Sequence, residues 1–193
     1  TDATAKQWKV YFIHLSTGEN WLAAEYGNLR NAVNSLTTPA GHTFRMYDSY
    51  SGNADQLEWK NRFQQQTDWK NYNIVMFKSC FPASDIYDSA RLAAYKQVYT
   101  KYLKPIFKAN PKILFIIVTA PPLVPNETNS ANAARAREFD NWLKNQFLTN
   151  YNATYPLLKN VRTFDLFNVL ASGTDPGKNM LKPIYRLNNW DSH

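Results

Sequence analysis

Short apolar runs punctuate the chain, and each breaks off at polar or turn-forming residues. Lys9–Leu15 is a β-branched and aromatic run that stops at Ser16-Thr17-Gly18, as a strand buried on both faces does when it turns into a helix. Thr43–Tyr47 alternates and ends at Asp48, which suits an edge strand. Asn73–Lys78 is a third strand, Lys112–Thr119 an uninterrupted and therefore central one, and Val161–Leu166 the last. Helical spacing fills the intervals. It predicts a helix near residues 28–36, a polar stretch through Gln66 capped by Asn53 or Asp55, and a long helix opened by Ser84 or Asp85 that runs to about Phe107, with Pro105 near its end. An Ala-rich helix follows from about Asn132 to Leu148, and the tail after Gly173 reads as loop. Strands that alternate with helix-length segments imply right-handed crossovers and an α/β fold, a three-layer α/β/α sandwich on a parallel sheet.

Composition narrows the function classes. At 193 residues the chain suits one domain over 1–193, and 44% hydrophobic with 19% charged residues is a globular balance. No apolar run is long enough to span a bilayer, so no membrane span is expected. The formal charge of +7 favours anionic neighbours, but it is dispersed, without a basic block, zinc-ligand spacing or RNA-binding signature, and no nucleic-acid partner is expected. The single cysteine, Cys80, permits no internal disulfide and reads as a small buried hydrophobe. A start at Thr1 without methionine, and the sequons Asn126-Glu-Thr and Asn152-Ala-Thr, fit an exported, extracellular protein.

The chemistry points to the carboxyl edge of the sheet, where open α/β folds build their sites. Ser16 would arrive there on the first strand at a helix N-terminus, either as a nucleophile beside free backbone N–H groups or as a plain helix cap. The histidines are His14, His42 and His193. His193 and Asp191 follow the last strand, so they reach the same edge as Ser16 and supply a base and its carboxylate partner. His14 shares the strand face of Ser16 and joins Trp21 as a candidate substrate contact, Trp21 as a platform for sugar stacking. Asp165, at the end of the last strand, reads as a cap for the turn that follows it.

Ser16 after the first strand, Gly52 after the second and Asp191-Ser192-His193 at the end resemble the SGNH (GDSL-like) hydrolase superfamily. Three segments resemble more narrowly an exported microbial SGNH-like group: Phe12–Leu22, Phe77–Pro82 and Val118–Leu123. The resemblance implies a flavodoxin-like sheet of order 2-1-3-4-5 and ester hydrolysis through an acyl-enzyme, without metal or organic cofactor. The implied substrate is a small ester or an ester-bearing carbohydrate. It implies Ser16 as nucleophile, His193 as base, Asp191 as its carboxylate, and an oxyanion hole from Ser16 and Gly52. The superfamily's Gly-x-Asn-Asp block is replaced by Lys78-Ser79-Cys80-Phe81, which removes an amide donor and leaves Ser79, or Lys78, in its place. Trp190 stands three residues before His193, where the superfamily has aspartate, and the superfamily normally continues past that histidine into a last helix, whereas the sequence given ends at His193. The second reading is therefore a non-catalytic member of the fold, with a binding or surface-assembly role.

Overall fold

The computed structural model describes residues 7–51, 55–174, 177–188 and 190. Its centre is a five-stranded parallel sheet of order β2-β1-β3-β4-β5, built from β1 (Gln7–His14), β2 (Thr43–Tyr50), β3 (Ile74–Lys78), β4 (Leu114–Val118) and β5 (Val161–Phe164). The expected order and fold class are both observed. Alternation divides the side chains of β1 between two layers. Tyr11 and Ile13 enter the larger core with Trp59, Phe63 and Phe77, whereas Val10 and Phe12 meet Leu22, Met46 and Ile74 on the other face. At the edge, β2 buries only Met46 and runs on to Tyr50, because its partner β1 continues to His14 opposite it.

The larger core lies under α3 (Trp59–Gln65), α4 (Ser89–Gln97), α5 (Lys104–Ala109), α6 (Ser130–Asn141) and α7 (Leu148–Thr154). A π-helical turn at Val98–Leu103 joins α4 to α5, and another at Trp142–Phe147 joins α6 to α7. The second face has thinner cover from α1 (Thr17–Leu22), α2 (Leu29–Asn34) and α8 (Leu166–Leu170). Between these short helices a trough of about 630 Å³ opens over Val10, Phe44, Ile74, Met76, Ile116 and Phe164. No described helix is long and apolar enough to cross a membrane.

Side chains committed elsewhere in the fold move several expected boundaries. Neither Ser84 nor Asp85 opens the long helix. Residues Phe81–Ser84 form a 3-10 turn, and the Asp85 carboxylate accepts from Thr128 Oγ1 at 2.8 Å and Asn132 Nδ2 at 2.7 Å, tying this loop to the start of α6. Asp88 caps α4 instead, accepting from the Arg91 amide at 2.7 Å. Asn129 caps α6 with two bonds of 3.0 Å, so that helix starts at Ser130, ahead of the expected Asn132. Asp165 ends β5 early by capping α8, accepting from the Asn168 amide at 3.2 Å while Lys144 donates to its other oxygen at 2.5 Å. Cys80 is buried against Phe81 and Leu123, as the composition suggested.

Inside this core Asp140, on α6, is 1% exposed, and its Oδ1 has no hydrogen-bond partner among the described residues. Burial, reinforced by Asp165, raises its carboxyl well above the ordinary range and keeps it protonated in the fold. The unfolded chain ionises the same group above about pH 4. The stability this group allows is therefore complete below that pH and lost as pH rises above it. An Asp140→Asn variant should melt higher than the wild type at pH 7, and the gap should close below about pH 4. Equal gaps in calorimetric melts at the two pH values would contradict this assignment.

Candidate active site

The chain leaves β1 at His14 and reaches α1 through Leu15 and Ser16. Ser16 adopts φ 51° and ψ −122°, a conformation that residues with a Cβ rarely take and that costs about 1–3 kcal/mol. It stands at the cap position of α1, where its carbonyl accepts from the Glu19 amide at 2.8 Å, yet its hydroxyl makes no capping bond. The cap reading of Ser16 therefore fails for the side chain. The turn is closed by the Gly18 amide, which donates to the Leu15 carbonyl at 3.2 Å.

Gly18 is required by contact. A Cβ there would lie 2.5 Å from His14 Cβ and 2.9 Å from His14 Cγ, so the ring of His14 and the backbone of α1 fit only around a bare Cα. Gly18→Ala should cost about 1–3 kcal/mol through overpacking. A urea midpoint equal to that of the wild type would show that the turn yields freely.

His14 is 1% exposed, so it does not touch a substrate directly, and that expectation is corrected. Its Nε2 lies 3.2 Å from Asp48 Oδ2, and Arg30 donates to the other Asp48 oxygen at 2.6 Å. Burial holds the imidazole below its ordinary value against the pull of Asp48, and the neutral ring donates Nε2–H to that carboxylate. Burial opposes the ionisation of Asp48, but the bonds from Arg30 and His14 keep it below the usual carboxylate range. The Tyr50 ring stands edge-on to His14 at 5.9 Å, and the Nδ1 of His14 has no partner among the described residues. The pair of His14 and Asp48 braces the strand ends that carry Ser16.

Lys78, the last residue of β3, is 0% exposed. Its ammonium donates to the Leu15 carbonyl at 3.4 Å and the Ser79 carbonyl at 3.2 Å, and lies 5.5 Å from the Trp21 ring. Trp21 in turn stacks on Phe12 at 5.9 Å and lines the apolar trough. Ser79 is 1% exposed, and its hydroxyl accepts from Trp59 Nε1 at 2.7 Å, so it is engaged with the larger core. Of the sequence-derived candidates, Ser16, Trp21 and His14 stand together at one corner of the sheet with Lys78. Gly52, Asp191 and His193 lie outside the described residues. The Ser51 amide, which donates to the His14 carbonyl at 2.7 Å, starts the loop after β2 at this same edge.

Beside the turn, Leu15 packs on Cys80, Phe81 and Leu123, and Phe81 and Leu123 also line a cleft of about 500 Å³. Asp55, Asp85 and Arg91 supply its polar wall, with Arg91 donating to Asp55, and Tyr87 stands on its rim 58% exposed. Among the described residues no three His, Cys, Asp or Glu side chains converge as a metal site would need. The cleft, and the clamp of Arg30 and Asp48 on His14, were not foreseen from sequence. The one available signal was the acidic end of the β2 pattern at Asp48.

No protein-family model matches the sequence, and no curated protein matches it significantly. Solved structures do share the fold. A GDSL-like lipase from Bacteroides thetaiotaomicron superposes with a TM-score of 0.54 at 14% identity, over 94% of this chain and 78% of that one. An acetyl-xylooligosaccharide esterase from Geobacillus stearothermophilus gives a TM-score of 0.55 at 14% identity, over 95% and 86%. The chain therefore has the fold of these proteins.

Proposed function

We propose that the protein is a secreted serine esterase that cleaves acyl groups, acetyl above all, from carbohydrate outside the cell. The observation that carries the reading is Ser16 itself, strained at φ 51° at the carboxyl end of β1 with a hydroxyl that the helix does not use. A serine serving only as a cap would bond its helix and would need no positive φ. The fold shared with an acetyl-xylooligosaccharide esterase and a GDSL-like lipase agrees with this chemistry. The 500 Å³ cleft, with an exposed tyrosine on its rim and polar groups along one wall, suits a sugar unit.

In this mechanism the Ser16 hydroxyl adds to the ester carbonyl and passes its proton to His193, which Asp191 orients. The backbone N–H groups of Ser16 and Gly52 receive the oxyanion. Collapse expels the alcohol with the proton returned by His193, and water then releases the acid from the acyl-enzyme. Acetate release from acetylated xylo-oligosaccharides, compared with p-nitrophenyl acetate, tests the reading. Turnover of both, with kcat/KM higher for the sugar, is expected. A folded protein inert toward every ester would move the assignment to a binding or surface-assembly role.

A further inference from the structure

The positive charge is dispersed along the sequence, but the fold gathers part of it on one face. Residues 89–126 hold six lysines and arginines and no aspartate or glutamate, and residues 141–164 hold three and again no acid. The two segments pack together, with Phe107 of α5 meeting Tyr151 of α7 at 6.4 Å. Their outer side carries a row of lysines set on tyrosines. Lys60 of α3 and Lys101 stand over the Tyr102 ring at 4.5 and 5.4 Å, and Lys104 and Lys108 stand over the Tyr155 ring at 5.5 and 5.4 Å. Lys112 and Lys159, both exposed, lead into the neighbouring strands β4 and β5.

None of these six lysines forms an ion pair among the described residues, whereas Lys96 and Lys144 pair with Glu138 and Asp165. A cation–π contact orders an ammonium and leaves its charge in place, which a carboxylate partner would cancel. Lys101, Lys104 and Lys108 also follow one another at helical spacings of three and four, where like charges repel. A bound polyanion relieves that repulsion. From Lys101 to Lys108 the row runs about 10 Å at the helical rise, so a polymer meets all of it and a single small anion does not.

We propose that this face is a binding surface for an acidic polysaccharide, whose carboxylate or sulfate groups lie along the lysine row. Helices α5 and α7 each lead into the amino end of a strand, so the surface lies away from Ser16, at the carboxyl end of β1. It holds the protein on a charged glycan and takes no part in ester chemistry. Two other polyanions fit the residues less well. Phosphate recognition in nucleic acids draws on the planar fork of arginine, and this row is all lysine. A lipid surface calls for an apolar stripe beside the charge, and in residues 98–113 and 148–160 only Leu157 is a large exposed apolar side chain.

The test is binding to polygalacturonate at low salt, measured beside neutral dextran, duplex DNA and phosphatidylglycerol vesicles. The wild type should bind polygalacturonate in preference to the other three, and salt should weaken the binding. A triple variant with Lys101→Gln, Lys104→Gln and Lys108→Gln should bind about 10- to 100-fold more weakly. It should melt no lower than the wild type and hydrolyse p-nitrophenyl acetate at the wild-type rate. The charge-matched control carries Lys9→Gln, Arg162→Gln and Lys178→Gln, all at exposed positions on other elements, and should lose less than about threefold. Equal losses in the two triple variants would reduce the attraction to net charge and overturn the surface. Tighter binding to DNA or to vesicles, or no binding to polygalacturonate, would overturn it too. Binding by the Ser16→Ala variant at wild-type strength keeps this result separate from the fate of the nucleophile.

Discussion

Ser16→Ala is expected to lower ester hydrolysis by about 10⁴-fold or more, because the proposed acyl-enzyme route runs through its hydroxyl. Only transition-state binding and solvent attack would be left. The same substitution should hardly affect folding. The hydroxyl makes no bond to α1, and the backbone of residue 16 keeps its carbonyl bond to the Glu19 amide whatever side chain it bears. Stability within about 0.5 kcal/mol of the wild type is the expectation for so small a change. The test is a pairing of activity and urea unfolding on one preparation. A variant that hydrolyses esters at the wild-type rate would remove Ser16 from the chemistry, whatever its backbone.

Phe115→Ala should produce the largest loss of stability, about 3–5 kcal/mol. Phe115 is 0% exposed near the start of β4, between strands on both sides and helices above. Its ring meets Phe107 at 4.5 Å, Trp69 at 5.8 Å and Phe63 at 6.3 Å, and these three belong to different elements. Truncation leaves a void that none of them can close alone, since each is itself wedged among other rings. Leu157→Ala is the matched control. Leu157 is 94% exposed, and its truncation should cost less than about 0.5 kcal/mol. Urea unfolding of the two variants tests this, and a Phe115→Ala loss below about 1.5 kcal/mol would mean that the aromatic cluster collapses freely.

The strands were legible in the sequence because a parallel strand covered on both faces must be apolar along its buried length, and residues 74–77 of β3 and Leu114–Val118 obey that rule. The start of α4 was not. Asp85 has the chemistry of a cap, but Thr128 and Asn132, more than forty residues on, take its carboxylate, and only the folded chain brings them there. The same holds at the site. Ser16 could be found because the strand-to-helix turn is local, whereas the partner of His14 depends on the register of β1 against β2, which sets Phe12 opposite Asp48 and His14 opposite Tyr50. Lys78 was visible as a charge ending an apolar run, but nothing local tells whether such a lysine turns outward to water or inward under the Leu15 carbonyl. The tail residues Asp191 and His193, and Gly52, lie outside the described structure, and their roles rest on the resemblance and on the proposed chemistry.

The central claim is that Ser16 is an activated nucleophile, and intact-mass analysis after fluorophosphonate labelling tests it most directly. One adduct per chain, mapped by peptide sequencing to Ser16, lost in Ser16→Ala and strongly reduced in His193→Ala, is the result the account predicts. A folded wild type that takes up no label, or takes it up at another serine, would contradict it.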